Sequence, residues 1–317
     1  MKAIVQDRYG PPEVLRLAEI AKPMLKDDDV LVRVRAAAIH SGDYFGVRGA
    51  PVVVRLFIGF PKPKKDYVVG ADAAGHVEAV GRNVTRFQPG DEVFGEPGGA
   101  CAEYVCAGED KFAHKPAGIT FEQAASVPVS ALAALQGLRD AGKVQPGQKV
   151  LVNGASGGVG TFAVQIAKAL GANVTGVCST RNVEMVRAIG ADHVIDYTQE
   201  DFTQGGPRYD LILDNVANRP SSVCRRALTP RGTLLPNSGH AGMGYIIKAF
   251  VTSLFVRQQG RPFVSTPKTE DLVTLKDLIE SGKVAPVIDR TYPLPETPEA
   301  FRYLGEGHAR GKVVITV

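Results

Sequence analysis

The stretch KVLVNGASGGVGTFAVQIAKALGA, residues 149–172, specifies a local fold more directly than any other part of the chain. Its apolar start, Lys149 to Asn153, predicts a strand, and the spacing of apolar residues over Val159 to Leu170 predicts an amphipathic helix. A glycine-rich turn joins these two elements. A strand, a short turn and a helix in this order predict the first half of a βαβ unit.

The glycine-rich turn matches the fingerprint of a dinucleotide-binding βαβ unit. Its three key positions are Ala155, Gly157 and Gly160, with Gly158 beside them, so alanine stands where the first glycine is usual. The second position lacks a Cβ so that pyrophosphate can approach the backbone, and the third lets the helix pack closely on the strand. Free N–H groups at the helix start then bind the phosphates. The alternative is a glycine-rich turn in an α/β protein that binds no nucleotide.

The residues after the second strand of this unit bear on the choice of nucleotide. A site for NAD usually has an aspartate or glutamate there, which binds the ribose 2′-hydroxyl. Cys178 occupies that position, and Ser179, Thr180 and Arg181 follow it. Two hydroxyls and a guanidinium can bind a 2′-phosphate, which favours NADPH over NADH. The alternative for Arg181 is an exposed cation near a helix start. Tyr197, after the next strand, is a candidate near the adenosine phosphate or else a packed surface aromatic.

Strand and helix patterns alternate through the middle of the chain, whereas its first third is β-rich. The alternation predicts an α/β fold with a Rossmann-type doubly wound parallel sheet. The predicted strands are Lys2 to Val5, Val30 to Ala37, Gly75 to Val80, Glu92 to Gly95, Ala102 to Cys106, Lys149 to Asn153, Asn173 to Val177, His193 to Ile195, Leu211 to Asp214, Gly232 to Leu235 and Lys312 to Val317. The predicted helices span residues 121–142, 159–170, 182–189, 220–228 and 270–281.

The composition excludes several other classes of protein. At 317 residues the chain is long enough for two domains, and its formal net charge of +4 is far from the strongly basic composition of a nucleic-acid binder. No apolar stretch approaches the roughly 20 residues of a membrane-spanning helix. The N-terminal residues lack the features of a signal peptide, so a cytoplasmic location is expected. None of the four cysteines forms a C-x-x-C pair, and free thiols are expected.

Six segments, in this order and spacing, resemble the zinc-independent quinone oxidoreductase branch of the medium-chain dehydrogenase/reductase superfamily. They are AAAIHSGDYFGVRG (36–49), YVVGADAAGHVEAVG (67–81), FQPGDEVFG (87–95), NGASGGVG (153–160), GADHVIDY (190–197) and GHARGKVVITV (307–317). The chain looks especially similar to the subgroup of mitochondrial reticulon-interacting oxidoreductases and their bacterial relatives. The resemblance spans essentially the whole length.

This resemblance implies a domain organisation and a set of cofactor contacts. A GroES-like, β-rich catalytic domain would comprise residues 1–122 and 262–317, and an NADPH-binding domain would comprise residues 123–261, with the active site in the cleft. Members of the branch are commonly homodimers. The implied NADPH contacts are Ser156, Gly157, Gly158, Val159, Ser179, Arg181 and Tyr197, with Asn237 and Ser238 near the nicotinamide and Arg310 and Gly311 as further contacts.

The resemblance also argues against a metal. Zinc-dependent members of the superfamily have cysteine where His40 stands, and His-Glu where Ala71-Asp72 stands. A catalytic zinc needs about three protein ligands and an open position. His40 and Asp72 alone do not make that set, and the four-cysteine lobe that binds structural zinc is missing. No metal is therefore expected.

The candidate proton donors lie in two segments near the predicted nicotinamide position. They are His40, Ser41 and Tyr44 in one segment and Ser130 in the other. His40 is expected to shuttle a proton near neutral pH, and its alternative is a histidine that stabilises a turn. The alternative for Tyr44 is a packed aromatic. Asp43 is expected to anchor its loop through backbone hydrogen bonds.

Three functions remain open from the sequence. The first is NADPH-dependent reduction of small quinones, and the second is reduction of 2-alkenals, enones or enoyl thioesters. The third is a non-catalytic NADPH-binding protein with a structural, regulatory or RNA-binding role. Two departures from the quinone reductase pattern concern the acceptor site: His40 replaces an asparagine, and Ala133 replaces a threonine.

Overall fold

A computed structural model of the protein describes residues 1–206, 208–237, 252 and 257–317. The chain divides into two compact units. The first unit comprises Met1–Ser130, Pro267–Glu280 and Pro286–Val317, and the second comprises Ala131–Thr266 and Ser281–Ala285. The domain limits predicted at residues 122/123 and 261/262 stay a prediction. Among the described helices, none combines the length and apolar character that crossing a bilayer requires.

The first unit is built mainly from β-strands. Its strands are β1 (Lys2–Gln6), β2 (Leu15–Glu19), β3 (Asp29–Ile39), β4 (Tyr67–Val68), β5 (Asp72–Val80), β6 (Glu92–Gly95), β7 (Tyr104–Gly108), β8 (Phe112–His114), β15 (Ile288–Pro293) and β16 (Lys312–Thr316). Its helices are α1 (Ser41–Arg48), α2 (Arg55–Ile58), α3 (Phe121–Ala125), the start of α4 (Pro128–Gln136), α8 (Thr269–Glu280) and α9 (Thr297–Gly305).

The long strand β3 is the centre of the first unit. It pairs antiparallel with β5, β7 and β16, and the main sheet runs in the order β15-β16-β3-β5-β6-β8. A smaller sheet has the order β2-β1-β4. Apolar side chains of β3 pack with Phe112 and Phe301 in one core cluster. The C-terminal strand β16 therefore completes a sheet that begins near the N-terminus.

The second unit contains one parallel sheet. Its strands are β9 (Lys149–Asn153), β10 (Asn173–Cys178), β11 (His193–Asp196), β12 (Tyr209–Asp214), β13 (Leu228–Pro236) and β14 (Gln259–Gly260). Its helices include the rest of α4, α5 (Gly158–Ala169), α6 (Val183–Ala188) and α7 (Ser221–Cys224). The order β11-β10-β9-β12-β13-β14, all parallel, is the 3-2-1-4-5-6 order of the Rossmann fold. The predicted parallel sheet is confirmed.

The helix predicted over residues 121–142 is wrong as a single element. It is divided into α3, α4 and a π-helical turn, Gly137–Ala141. Pro128 begins α4, because proline lacks the N–H that would continue α3 and disfavours helical geometry in the residue before it. Thr120 caps α3 by accepting a hydrogen bond from the N–H of Gln123, whose side chain accepts one from Thr120 in return. The apolar periodicity alone did not reveal this break.

A buried ion pair joins distant parts of the first unit. Lys312, the first residue of β16, places its Nζ 3.3 Å from Oδ2 of Asp72, the first residue of β5. The same ammonium donates a hydrogen bond of 3.0 Å to Oγ of Ser130 in α4. The other carboxylate oxygen of Asp72 accepts the N–H of Val129 at 3.0 Å. The side chains of Lys312 and Asp72 are 1% and 0% exposed. Because water does not solvate either charge, each is stabilised by the other.

We predict that Lys312→Met lowers the free energy of unfolding by about 3–5 kcal/mol, because Asp72 is left as an uncompensated buried charge. The double variant Lys312→Met with Asp72→Asn should recover most of this loss, since no buried charge remains. The exposed Lys283 serves as a control, and its methionine variant should stay within about 0.5 kcal/mol of the parent. Urea unfolding measures all three. A double variant as unstable as the single one would contradict this account.

Candidate active site

The glycine-rich turn of the second unit lies between β9 and α5. Gly154 follows β9 with a φ of 77°, a left-handed conformation that favours glycine. Gly157 is the N-terminal cap residue of α5, and Gly158 is the first residue of the helix. The first N–H groups of a helix have no partner within it. The turn therefore presents backbone donors at the carboxyl end of β9, where doubly wound folds bind their ligands.

Two glycines of this turn have different steric reasons for lacking a side chain. A Cβ on Gly160 would lie 2.0 Å from the carbonyl oxygen of Gly154, so the fold itself requires glycine there. A Cβ on Gly157 would meet nothing closer than 3.5 Å, and its φ of −85° suits any residue. Nothing in the surrounding protein requires glycine at position 157. The open space next to the Cα atom of Gly157 could accommodate a ligand group that approaches the backbone of the turn.

Asn182 connects two of the predicted cofactor residues. Its Nδ2 donates hydrogen bonds to Oγ of Ser156 at 3.0 Å and to Oγ of Ser179 at 3.2 Å. The turn after β9 and the end of β10 are thereby held together. Asn182 is 5% exposed, and its Oδ1 is buried without a hydrogen-bond partner among the described residues. From the sequence, Asn182 is predicted only as a helix start, where asparagine is a common cap.

The other residues predicted near the adenosine phosphate lie on the surface around the end of β10. Thr180 and Arg181 are exposed, and Tyr197 is 52% exposed. Burial raises the pKa of the Cys178 thiol to about 11, so this position carries a neutral group. Asp196 lies beside them, and hydrogen bonds, first from the Thr180 hydroxyl, lower the pKa of its carboxyl. An ionised carboxylate therefore shares this surface with the guanidinium.

Asparagine and aspartate side chains form a network at the carboxyl ends of β9, β12 and β13. Nδ2 of Asn153 donates to Oδ1 of the fully buried Asp214 at 2.8 Å. Nδ2 of Asn237 donates to Oδ1 of Asn215 at 2.7 Å, and Nδ2 of Asn215 donates to the carbonyl of Asn153 at 3.2 Å. Of the two residues predicted near the nicotinamide, Asn237 belongs to this network, and Ser238 lies outside the described residues.

His40 in the first unit is the N-terminal cap residue of α1. Its Nδ1 accepts the N–H of Gly42 at 2.9 Å, and its Nε2 lies 3.3 Å from Oδ2 of Asp43. The same carboxylate oxygen accepts the backbone N–H of His40 at 2.9 Å, so Asp43 anchors its loop as predicted. Burial lowers the pKa of His40 to about 4. The imidazole is therefore neutral at pH 7, and the expectation that it titrates near neutral pH is wrong.

The carboxyl groups of Asp43, Asp72 and Glu96 form a polar cluster with Lys312. Those of Asp43 and Glu96 titrate near neutrality. Burial raises the pKa of Asp43 to about 7. Burial, with repulsion from Asp72 and Asp43, raises the pKa of Glu96 to about 7 as well. The pKa of Asp72 is also raised by burial, while Lys312 opposes that shift. This arrangement could not be predicted from the sequence, because the residues come from four separate segments.

Two predicted proton donors have different surroundings. The hydroxyl of Tyr44 accepts a hydrogen bond of 2.9 Å from Arg48, and its ring packs against Gly305. Tyr44 is thus a packed aromatic with an occupied hydroxyl oxygen. Ser130 is 2% exposed, and its oxygen accepts the ammonium of Lys312. A hydroxyl whose oxygen accepts from a cation has its own hydrogen left to donate, and no acceptor for it is found among the described residues.

The predicted contacts near the C-terminus belong to the first unit. The N–H of Arg310 donates to Oδ2 of Asp289 at 2.8 Å. Gly311 has a φ of 100°, and a Cβ there would lie 2.3 Å from the carbonyl oxygen of Val287. The fold alone accounts for this glycine, and the contact of both residues with a dinucleotide stays a prediction. In the part of the chain that the structure describes, no three His, Cys, Asp or Glu side chains are grouped so as to hold a metal ion.

Two family models match the chain. The alcohol dehydrogenase GroES-like domain matches residues 26–180, and the zinc-binding dehydrogenase model matches residues 189–315. The first of these matches accords with the β-rich fold of the first unit. The predicted combination of a GroES-like domain and a Rossmann-type domain is confirmed.

Three similar proteins cover nearly the whole chain. The mitochondrial NAD(P)H oxidoreductase RTN4IP1 of Mus musculus is 34% identical over 100% of this chain and 89% of its own length. The chloroplastic NADPH-dependent alkenal/one oxidoreductase of Arabidopsis thaliana is 34% identical over 99% of this chain and 79% of its own. The solved structure of the quinone oxidoreductase of Coxiella burnetii has a TM-score of 0.89 at 32% identity, covering 100% of this chain and 99% of that one. The chain belongs to the medium-chain dehydrogenase/reductase superfamily, in its quinone oxidoreductase branch.

Proposed function

We propose that the protein is an NADPH-dependent oxidoreductase that transfers hydride to quinones or related conjugated carbonyl acceptors without zinc. The observation that carries this proposal is the open space above Gly157, beside the backbone donors at the start of α5. The similar proteins support the activity, because their names are those of an NAD(P)H oxidoreductase, an NADPH-dependent alkenal/one oxidoreductase and a quinone oxidoreductase.

The residues of the second unit fit a bound NADPH. The diphosphate would lie over the glycine turn, where the first N–H groups of α5 have no partner within the helix. Bound NADPH supplies the hydride, while the protein binds and orients it. The residues proposed to hold it are Ala155, Ser156, Gly157, Gly158, Val159, Gly160, Ser179, Thr180, Arg181, Tyr197, Asn237 and Ser238, with Arg310 and Gly311 from the first unit.

Discrimination in favour of the 2′-phosphate would come from charge at the end of β10. The neutral thiol of Cys178 cannot hold a ribose 2′-hydroxyl as a carboxylate does. Arg181, on the exposed surface beside it, would offer its guanidinium to the phosphate, with Ser179 and Thr180 as hydroxyl donors. The Asp196 carboxylate would repel the 2′-phosphate, so the attraction between Arg181 and the phosphate has to exceed that repulsion.

Independence from zinc is proposed from the residues at the positions of the missing ligands. The carboxylate of Asp72 is already engaged by Lys312 and by the N–H of Val129. The two ring nitrogens of His40 face the N–H of Gly42 and the carboxyl of Asp43. Binding of a catalytic zinc by these two side chains would therefore require breaking the buried contacts of Asp72 and the contacts of both His40 nitrogens.

The first unit supplies groups that suit a carbonyl acceptor. Negative charge develops on the acceptor oxygen as hydride arrives, and a fixed donor stabilises it. We assign that role to the free hydroxyl hydrogen of Ser130, with Lys312 as the positioning residue behind it. The proton that completes the reduction would come from the carboxyl group of Asp43, whose pKa lies at about 7.

Reduction of enones is the second candidate function, favoured by the alkenal/one oxidoreductase among the similar proteins. The same donor arrangement serves either acceptor, because both place developing charge on a carbonyl oxygen. We further propose a homodimer. The cytoplasmic location expected from the sequence stays a prediction, since two similar proteins are named as mitochondrial and chloroplastic.

The two glycines of the turn give a paired test of the diphosphate site. Gly157→Val should raise the dissociation constant for NADPH at least about a hundredfold, because the new side chain fills the approach to the backbone. Its unfolding free energy should change by less than about 1 kcal/mol. Gly160→Ala should instead destabilise the fold, since its Cβ would collide with Gly154. Fluorescence titration and urea unfolding measure the two effects. Unchanged NADPH affinity in Gly157→Val would place the diphosphate elsewhere.

Arg181→Ala should weaken NADPH binding by about ten- to a hundredfold and leave NADH binding unchanged, because only NADPH carries the 2′-phosphate. Arg82, exposed and paired with Asp27 in the first unit, provides the control, and its alanine variant should bind both nucleotides like the parent. Equal weakening of NADPH and NADH by Arg181→Ala would contradict the assignment. Competition titration against both nucleotides gives the comparison.

Ser130→Ala should lower kcat by about a hundredfold or more and leave NADPH affinity unchanged, because it removes one donor to the developing oxyanion. Tyr44→Phe should cost about threefold or less, since the ring of Tyr44 packs against the core cluster and Gly305 and keeps these contacts as phenylalanine. NADPH oxidation with quinones, enones and enoyl thioesters provides the assay and ranks the two candidate functions. A large loss in Tyr44→Phe with none in Ser130→Ala would reverse the assignment.

A further inference from the structure

An exposed apolar patch projects from the first unit. It consists of Val52, Val53, Leu56, Phe57 and Phe60, whose side chains are 62%, 48%, 73%, 78% and 68% exposed. Single exposed apolar residues are ordinary on a protein surface, whereas five within nine residues form a contiguous group. Two of them are phenylalanines. Such a group in water has an unfavourable hydration free energy that a partner surface would relieve.

The backbone beneath the patch is held in place. Ile58 is buried and packs against Gly46 of α1. Nε of Arg55 donates to the carbonyl of Gly49 at 2.9 Å, and its guanidinium lies over the ring of Tyr9. The hydroxyl of Tyr9 donates to the carbonyl of Gly59 at 2.6 Å. One side of the segment is thus anchored, and the other side presents the patch.

Cations without carboxylate partners follow the patch in the chain. Lys62, Lys64 and Lys65 follow it in the chain, all exposed, and no carboxylate of the described residues forms an ion pair with them. Between Asp43 and Asp66 the chain has five basic residues, counting Arg48 and Arg55, and no acidic one. We call the three lysines the basic rim. The combination of apolar centre and basic rim is typical of segments that lie in the interface of an anionic bilayer.

We propose that this face docks on an anionic lipid bilayer, with the apolar patch among the acyl chains and the basic rim at the lipid phosphates. A second copy of the chain fits less well, because a two-fold interface through the patch would bring the two basic rims together. A bilayer satisfies both features, since it offers hydrocarbon and negative charge at adjacent depths. Docking would bring the proposed reductase to acceptors that are themselves lipophilic and reside in membranes.

A cavity lies behind the anchored side of this segment. Its volume is about 80 Å³, and its lining includes Asp43, Val54, Ile58 and Tyr67. Asp43 belongs to the polar cluster around Lys312. Within the first unit, the segment that would meet the lipid therefore also contacts the cavity next to the groups proposed to supply the proton.

Co-sedimentation with vesicles tests the proposal, using the intact protein without nucleotide or acceptor. We expect it to bind vesicles of phosphatidylcholine mixed with phosphatidylglycerol at least about tenfold more tightly than pure phosphatidylcholine, and to be released by salt. Leu56→Asn with Phe57→Asn should lower the partition coefficient about tenfold or more. Replacing the three lysines of the basic rim by glutamine should lower it about a hundredfold, at about fivefold per charge.

Matched controls separate the patch from general surface effects. Met24 and Val264 are 84% and 87% exposed, and their double asparagine variant should bind vesicles like the parent. Glutamine at Lys143, Lys268 and Lys283 removes the same charge from other exposed positions and should lower binding much less than the rim variant. Circular dichroism and NADPH titration of each variant show whether folding and the proposed cofactor site are intact, independently of lipid binding.

Absence of binding to the anionic vesicles, or equal losses in rim and control variants, would overturn the proposal. Sedimentation velocity without lipid tests whether a second copy of the chain binds to the patch instead. If Leu56→Asn with Phe57→Asn converts a dimer into a monomer and the parent binds no vesicles, the patch is an interface between copies. Vesicle binding with no NADPH binding would leave the docking surface standing and remove the proposed function instead.

Discussion

The ammonium of Lys312 beside the carboxylate of Asp72 is the contact on which the first unit depends. It joins the last strand of the chain to a strand near the start, and it reaches Ser130 in α4. Because both charges are buried, displacing either strand would leave the charge on the other strand unpaired in the protein interior. The same ammonium shapes the surrounding electrostatics, since it opposes the upward pKa shifts of Asp72, Asp43 and Glu96. Lys312 therefore contributes both to the stability of the first unit and to the chemistry proposed at the acceptor.

The second unit follows a steric constraint instead. Close packing of α5 on the turn leaves no room for a side chain at Gly160, whereas Gly157 lies next to open space. The fold alone explains Gly160, whereas the proposed diphosphate would explain Gly157. Because the two roles fall on neighbouring positions of one turn, substitutions there can distinguish the proposed nucleotide site from a purely structural turn.

Local signals in the sequence predicted part of this structure. Strand β9 has the predicted limits, Lys149 to Asn153, because an apolar run ends there at a glycine turn. Helix α1 was missed, since its eight residues have little apolar periodicity. The pairing of Lys312 with Asp72 could not be predicted, because the two residues are 240 positions apart and no local sequence pattern marks either of them. The pKa of His40 was misjudged for a similar reason, as burial depends on tertiary packing and not on the residue itself.

The proposed nucleotide site, the acceptor site and the lipid-facing patch describe one kind of enzyme, which draws electrons from a soluble cofactor and delivers them to a lipophilic carbonyl compound. The proposed reductase activity requires that the turn after β9 binds NADPH. Isothermal titration calorimetry of the purified protein with NADPH and with NADH decides whether it does. We expect saturable binding of NADPH at one site per chain, about tenfold or more tighter than NADH. A folded protein that shows no saturable heat with NADPH would contradict this proposal.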